Sequence, residues 1–437
     1  MRKIPSKRVI PTLKKNILVD GFHIVVDLQK SKGSYMHSAL DGKKYLDMYS
    51  YFSTLPIGHN HPKLNNREFE KELLAAAKEK PANSDVYTEE YARFVETFSK
   101  FAKPPHMKHL FFISGGALAV ENALKTAFDW KVRKNFKKGS INEKGSKIIH
   151  FRESFHGRSG YTLSLTCTSD TKTKHFPKFD WPRIINPKLH FPITKENLED
   201  VERVEKKAIG QISKNVRKYG DDIAGLIIEP IQGEGGDNHF RKEFLQKLEK
   251  ICNRNNIMFI LDEIQTGFGT TGKMWAFEHF GINPDIIAFG KKSQVCGIVC
   301  SKRVDEVKDN VFEESSRINS TWGGNLVDMV RCRRILEIMV QDKLVQNAAT
   351  VGDYFLKRLE ELSENHEQLT NVRGRGCFVA FEMPTIKERD EFNKKCWSNG
   401  LAVLNSWPKS MRFRPSLTIS KKEIDEAIEK MDKSFRN

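Results

Sequence analysis

Apolar positions through the middle of the chain follow two rhythms. Runs that are apolar almost throughout and bounded by turn residues read as strands: His109–Ser114, Lys147–Phe151, Tyr161–Thr166, Ile223–Pro230, Ile257–Glu263, Asp285–Gly290 and Val295–Ser301. Between them, Ala117–Lys131, Phe240–Asn255 and Met274–Phe280 carry helical spacing. Strands without a polar face need cover on both sides, so the alternation predicts an α/β core: a mainly parallel sheet with helices on both faces. After about Asn325 the rhythm changes. Two long amphipathic helices, Leu326–Val340 and Thr350–Leu362, precede a strand at Cys377–Phe381, a helix near Glu388–Ser398, short strands and a last helix. The expected organisation is a large α/β domain over 61–325, a smaller α+β domain over 326–437, and an N-terminal segment, 1–60, packing with the smaller one.

Composition narrows the class. In 437 residues, 39% are hydrophobic and 30% charged, which excludes collagen-like, coiled-coil and wholly disordered chains. No apolar stretch reaches the roughly 18 residues a spanning helix needs, and basic Met1–Lys15 lacks the apolar run of a secretory signal. A cytoplasmic protein with no membrane partner is expected. The seven cysteines are scattered without a C-x-x-C pair, so packed thiols are expected instead of disulfides or a metal site. A net charge of +17 raises the possibility of a nucleic-acid partner. The distribution argues against it. The densest basic stretch, Lys131–Lys147, reads as a helix end running into a loop, and Arg373-Gly-Arg-Gly376 runs straight into an apolar strand.

Chemistry begins where the strand ending at Ser114 meets Gly115 and Gly116 and a helix starts at once. Free backbone N–H groups and the positive helix end converge there on an anion, and two glycines let it approach closely. A tight turn explains the pair equally well; neither a Walker loop nor a Gly-x-Gly-x-x-Gly follows. Asp262 ends one strand and Lys291 follows the next, across a stretch of crossover length, which puts both at carboxyl ends of neighbouring strands. The pair reads as a salt bridge or as a pyridoxal 5'-phosphate site. In the second case a lysine amine forms a Schiff base, a carboxylate keeps the ring nitrogen protonated, and a helix end holds the phosphate.

With Ser114-Gly-Gly-Ala117, Phe155-His-Gly-Arg158, Glu229-Pro-Ile-Gln-Gly-Glu-Gly235, Leu261-Asp-Glu-Ile-Gln-Thr-Gly267, Gly290-Lys291 and Thr321-Trp-Gly-Gly-Asn325 in view, the chain resembles the class III pyridoxal-phosphate aminotransferases of fold type I over nearly its whole length. Within that family it looks most like the L-lysine 6-aminotransferase subgroup, which shares Lys292-Ser-Gln-Val after the lysine. The resemblance implies that Lys291 carries the cofactor, though Lys292 stands beside it. It implies that Asp262 pairs with the ring nitrogen, Gln265 with the ring hydroxyl, Phe155 with the ring face, and Gly116 and Ala117 with the phosphate. Thr321 would reach the phosphate of a neighbouring subunit in a homodimer with shared sites.

For substrates the resemblance implies L-lysine and 2-oxoglutarate, with L-glutamate as a product; ornithine or 4-aminobutyrate as donor is the nearest alternative. Arg158 and Arg412 are the candidates for holding substrate carboxylates, since a planar guanidinium fixes a carboxylate at a defined distance. Glu234 would cover Arg412 until an incoming carboxylate displaces it. Arg414 lies close enough to Arg412 in sequence to be confused with it.

Overall fold

The computed structural model describes residues 4–436; Met1, Arg2, Lys3 and Asn437, the ends of the two terminal stretches discussed above, lie outside them. The largest sheet has seven strands in the order Met107–Ile113, Cys296–Ser301, Ile286–Phe289, Met258–Asp262, Ile223–Ile228, Lys147–Phe151 and Arg183–Ile184. Neighbours pair in parallel except at Cys296–Ser301, which runs antiparallel to the strands on both sides. Every residue of Ile223–Ile228, Met258–Asp262 and Ile286–Phe289 is buried. That two-sided burial is why these segments show no alternation in sequence.

The helix Gly116–Lys137 covers one face. Its Val120, Ala123, Leu124, Ala127 and Trp130 share a buried cluster with Ile148, Ile260 and Ile286 of the sheet. The valine, leucine and isoleucine side chains among them contribute about 1.5–3 kcal/mol each when fully buried, so the helix start is anchored where the strands end.

Two expected elements differ. Tyr161–Leu165 falls in the helix Gly160–Leu165, not a strand, and Thr166 caps its end. Its β-branched, alternating composition is overridden by local caps: the Ser159 N–H donates to Thr162 Oγ1 at 2.9 Å, and the Tyr161 N–H to Glu121 Oε1 at 2.7 Å. Met274–Phe280 shortens to a single 3₁₀ turn, Ala276–His279, because buried Glu263 accepts the N–H groups of Ala276 and Phe277 and fixes the chain there. The helices Arg67–Lys78, Glu89–Phe101 and Lys195–Tyr219 were not foreseen. The last buries only Val201, Ala208 and Ile212, a thin apolar signal for its length.

Beyond the large sheet, Thr370–Arg375, Phe378–Glu382, Ser410–Phe413 and Leu404–Ser406 form an antiparallel sheet in that order. A three-stranded sheet joins Tyr35–His37 and Lys44–Asp47 to Leu401–Ala402, with Leu46 opposite Leu401. Residues early in the chain are thereby tied to residues near its end. Among the described residues no helix is long and apolar enough to cross a membrane. All seven cysteines are free, and six are buried.

Candidate active site

Six strands of the large sheet share one direction, and their carboxyl ends deliver Gly116, Phe155, Glu229, Asp262 and Lys291 to one cavity of about 840 Å³. Ala117, Arg158, Glu234, Gln265 and Arg412 line the same space. Of the residues named from sequence, Thr321 lies outside it on the exposed surface, and Lys292, the neighbour of Lys291, lies outside it in the interior.

Asp262 is buried at the end of its strand. Its Oδ1 accepts the Ile264 N–H at 3.1 Å, and its Oδ2 lies 2.8 Å from Nδ1 of the buried His156. Glu229, from the adjacent strand end, accepts the N–H groups of Phe155 at 3.0 Å and Gly233 at 2.9 Å. Burial pushes its carboxyl up to about 7, against the opposing pull of His156. It braces the loop that presents Phe155.

Lys291 follows Gly290 with a left-handed φ of 55°. Its Nζ donates to the Phe52 carbonyl at 3.2 Å. Burial lowers this amine to about 8, and Arg412 adds to the lowering. Lys292 turns away from the cavity and is fully buried, its amine donating to the Ser53 carbonyl at 3.2 Å and to Ser53 Oγ. The two lysines of the doublet thus point in different directions: Lys291 toward the cavity, Lys292 into the interior.

The residues fit pyridoxal phosphate. The 22-residue helix starts at Gly116 behind Gly115, whose φ is 106°, and no side chain among the described residues caps it, so its first N–H groups are free for an anion. The loop of Phe155 is pressed onto that helix start: a Cβ on Gly157 would lie 2.6 Å from Ala117 Cβ. An anion cradle, a buried carboxylate, a reactive amine and an aromatic wall therefore surround one cavity, as a phosphorylated pyridine aldehyde requires.

Two arginines enter from the four-stranded sheet, and their environments separate them. Arg412 Nη2 pairs with Glu234 Oε2 at 2.6 Å, while Lys172 takes the other Glu234 oxygen. Burial alone would raise the Glu234 carboxyl, but Arg412 and Lys172 together hold it below its ordinary value. Arg414 is instead locked into the interior: it pairs with Asp237 at 2.7 Å, both 1% exposed, and lies 3.3 Å over the Phe378 ring. Gln265 Oε1 accepts from Arg414 Nη2 at 3.0 Å and from Arg412 Nη1 at 3.4 Å. Its amide rests on Gly233, where a Cβ would sit 2.3 Å from Nε2. Arg158 is exposed at the cavity and takes part in no ion pair among the described residues.

Sequence reasoning passed over His156, Glu229, Lys172 and Phe52 as site residues. The first two stand inside motifs that mark the site, Phe155-His-Gly-Arg158 and Glu229–Gly235, and could have been read from them. Lys172 and Phe52 carry no local signal.

The family described as aminotransferase class-III matches residues 18–435. Curated relatives include the L-lysine-epsilon aminotransferase of Mycobacterium tuberculosis, 48% identical over 98% of this chain and 95% of its own length. Another is the L-lysine-epsilon aminotransferase of Amycolatopsis lactamdurans, 44% identical over 98% and 96%. Among solved structures, the lysine aminotransferase from M. tuberculosis superposes with a TM-score of 0.97 at 47% identity, covering 99% of each chain. The chain belongs to the class-III aminotransferases, enzymes that depend on pyridoxal phosphate.

Proposed function

We propose that this chain transfers the 6-amino group of L-lysine to 2-oxoglutarate in two successive half-reactions, giving 2-aminoadipate 6-semialdehyde and L-glutamate. The observation that carries the reading is Arg412 capped by Glu234 at 2.6 Å in the cavity that Lys291 faces. Lysine must present its distal amine with its carboxylate far away, whereas glutamate brings carboxylates both near and far. Arg158, at the open side, suits the far carboxylate. Arg412 suits the near one once Glu234 has moved aside; with Glu234 in place its charge is matched and the methylene arm of lysine can pass. The L-lysine-epsilon aminotransferases at 44–48% identity support lysine as donor.

Pyridoxal phosphate, when bound, supplies the electron sink that makes the carbon bearing the transferred nitrogen acidic. Asp262, held by His156 and the Ile264 N–H, would keep the ring nitrogen protonated. Gly116 and Ala117 would hold the phosphate, Phe155 the ring face and Gln265 the ring hydroxyl. Lys291 Nζ would hold the cofactor as nucleophile and, once free, would serve as the base that takes the proton from lysine C6. Thr321 would reach the phosphate of a neighbouring subunit, which implies a homodimer with shared sites. The division into 1–60, 61–325 and 326–437, a cytoplasmic location and the lack of a nucleic-acid partner belong to the same reading. Steady-state assays with lysine, ornithine and 4-aminobutyrate as donors to 2-oxoglutarate test it: kcat/KM is expected to be highest for lysine, and a clear preference for either other donor overturns the substrate.

A further inference from the structure

Ser50, Tyr51, Phe52 and Ser53 have φ values of 40°, 51°, 59° and 71°. Four successive non-glycine residues in the left-handed region form a turn that persists only where its surroundings hold it. On one side Asp47 Oδ1 accepts the N–H groups of Tyr49 at 2.9 Å and Ser50 at 2.7 Å, and Ser50 Oγ donates to the Arg414 carbonyl at 2.6 Å. On the other, three side chains of the Lys291 loop meet three successive carbonyls. Lys291 Nζ reaches Phe52 O at 3.2 Å, Lys292 Nζ reaches Ser53 O at 3.2 Å, and Gln294 Nε2 reaches Thr54 O at 2.7 Å. Phe52 and Thr54 line the cavity.

The two lysines cannot do the same work. Lys291 faces the cavity and must release Phe52 O to act there. Lys292 is fully buried, lines no part of the cavity and has no carboxylate within ion-pair distance among the described residues. A buried amine without a counter-charge is costly, and burial drags this one down to about 7. Among the described residues its hydrogen bonds go to Ser53 alone.

We propose that Lys292 is a positioning residue that clamps the left-handed turn Ser50–Ser53 to the loop carrying Lys291, so that the wall formed by Phe52 and Thr54 and the carbonyl opposite the Lys291 amine stay in place while that amine is at work. The catalytic consequence rests on the proposed role of Lys291; the clamp itself does not. Hydrogen exchange of residues 48–56 in the full-length protein loaded with pyridoxal phosphate tests the clamp. Lys292→Met is expected to speed exchange there by about tenfold or more, with residues 223–235 unchanged, and Lys291→Ala to leave the segment within about twofold of wild type. Unchanged exchange in Lys292→Met overturns the clamp, and equal deprotection in Lys291→Ala assigns it to Lys291 instead.

The positioning role has its own readout. In Lys292→Met, kcat is expected to fall by about tenfold with KM for lysine within about twofold, because the amine is misplaced while the substrate carboxylate site is intact. A wild-type kcat overturns it. If Lys292→Met does not fold, Ser53→Ala, which removes only the Oγ partner, should raise exchange in 48–56 by about threefold; no rise overturns the clamp. Failure of lysine as donor would show in the donor assays and leave the exchange rates as they are.

Discussion

The floor and the wall of the cavity are built by different means. On the floor, Asp262, Glu229 and Lys291 stand at the ends of adjacent parallel strands that are buried along their whole length, so the backbone of the sheet sets their positions. The wall is assembled from distant segments: Arg412 from the four-stranded sheet, Glu234 from a loop, Phe52 from the left-handed turn. Its geometry depends on side-chain pairing, above all on Glu234 shared between Arg412 and Lys172. A floor fixed by backbone suits chemistry common to both half-reactions, whereas a wall held by exchangeable ion pairs suits the choice between a lysine arm and a second carboxylate.

Breaking the floor should therefore cost both half-reactions alike. Lys291→Ala is expected to lower turnover by at least about 10⁴-fold while circular dichroism and thermal unfolding stay close to wild type. Substantial activity in that variant would move the nucleophile elsewhere. Breaking the wall should be selective. Arg412→Met is expected to lower kcat/KM for 2-oxoglutarate by about 10²-fold, the value of a charge-assisted pair, and for lysine by less than about fivefold. Equal losses for the two substrates would erase the distinction between floor and wall.

The same division marks what could be read from sequence. Floor residues sit in local motifs whose spacing follows from strand, turn and helix: Ser114-Gly-Gly-Ala117, Asp262 at a strand end, Lys291 after Gly290. Their meeting needed only the parallel order of two strands, in which Asp262 lies opposite Ala288. In the wall, the pairing of Arg412 with Glu234 was legible only through the family resemblance, because the two meet across 178 residues and no local pattern encodes their pairing. The left-handed turn at Ser50–Ser53 was illegible, since no glycine or asparagine marks it. Tyr161–Thr166 was misread because a contact with Glu121, on another helix, outweighs strand propensity.

A smaller perturbation tests whether the floor is one piece. Gly157 has a φ of 118°, and a Cβ there would lie 2.6 Å from Ala117 Cβ and 2.8 Å from Thr162 Oγ1. Gly157→Ala should destabilise the protein by about 1–3 kcal/mol in urea unfolding and weaken pyridoxal phosphate binding, by prising the Phe155 loop from the helix start. A loss of stability without a change in cofactor affinity would show that loop and helix start act separately.

The smallest expected effect joins the two regions through charge. Burial, reinforced by Arg412, lowers the Lys291 amine from 10.5 to about 8, whereas Glu234 pulls the other way. Only the unprotonated amine is nucleophilic, so in cofactor-free protein the rate of pyridoxal phosphate uptake should rise as pH passes through about 8 and level off above it. A lysine of ordinary basicity would keep gaining to beyond pH 10. Removing the neighbouring cation in Arg412→Met eases protonation of Lys291 and should move the midpoint up. Removing the anion in Glu234→Gln should move it down. Both shifts are expected to stay under about one unit, because desolvation, the larger cause, is untouched by either change. Uptake rates followed by absorbance across pH 6 to about 10.5 would resolve them. Midpoints that coincide in all three proteins would mean that the wall's charges do not reach the floor's amine, and that the two regions are coupled only through the substrate they share.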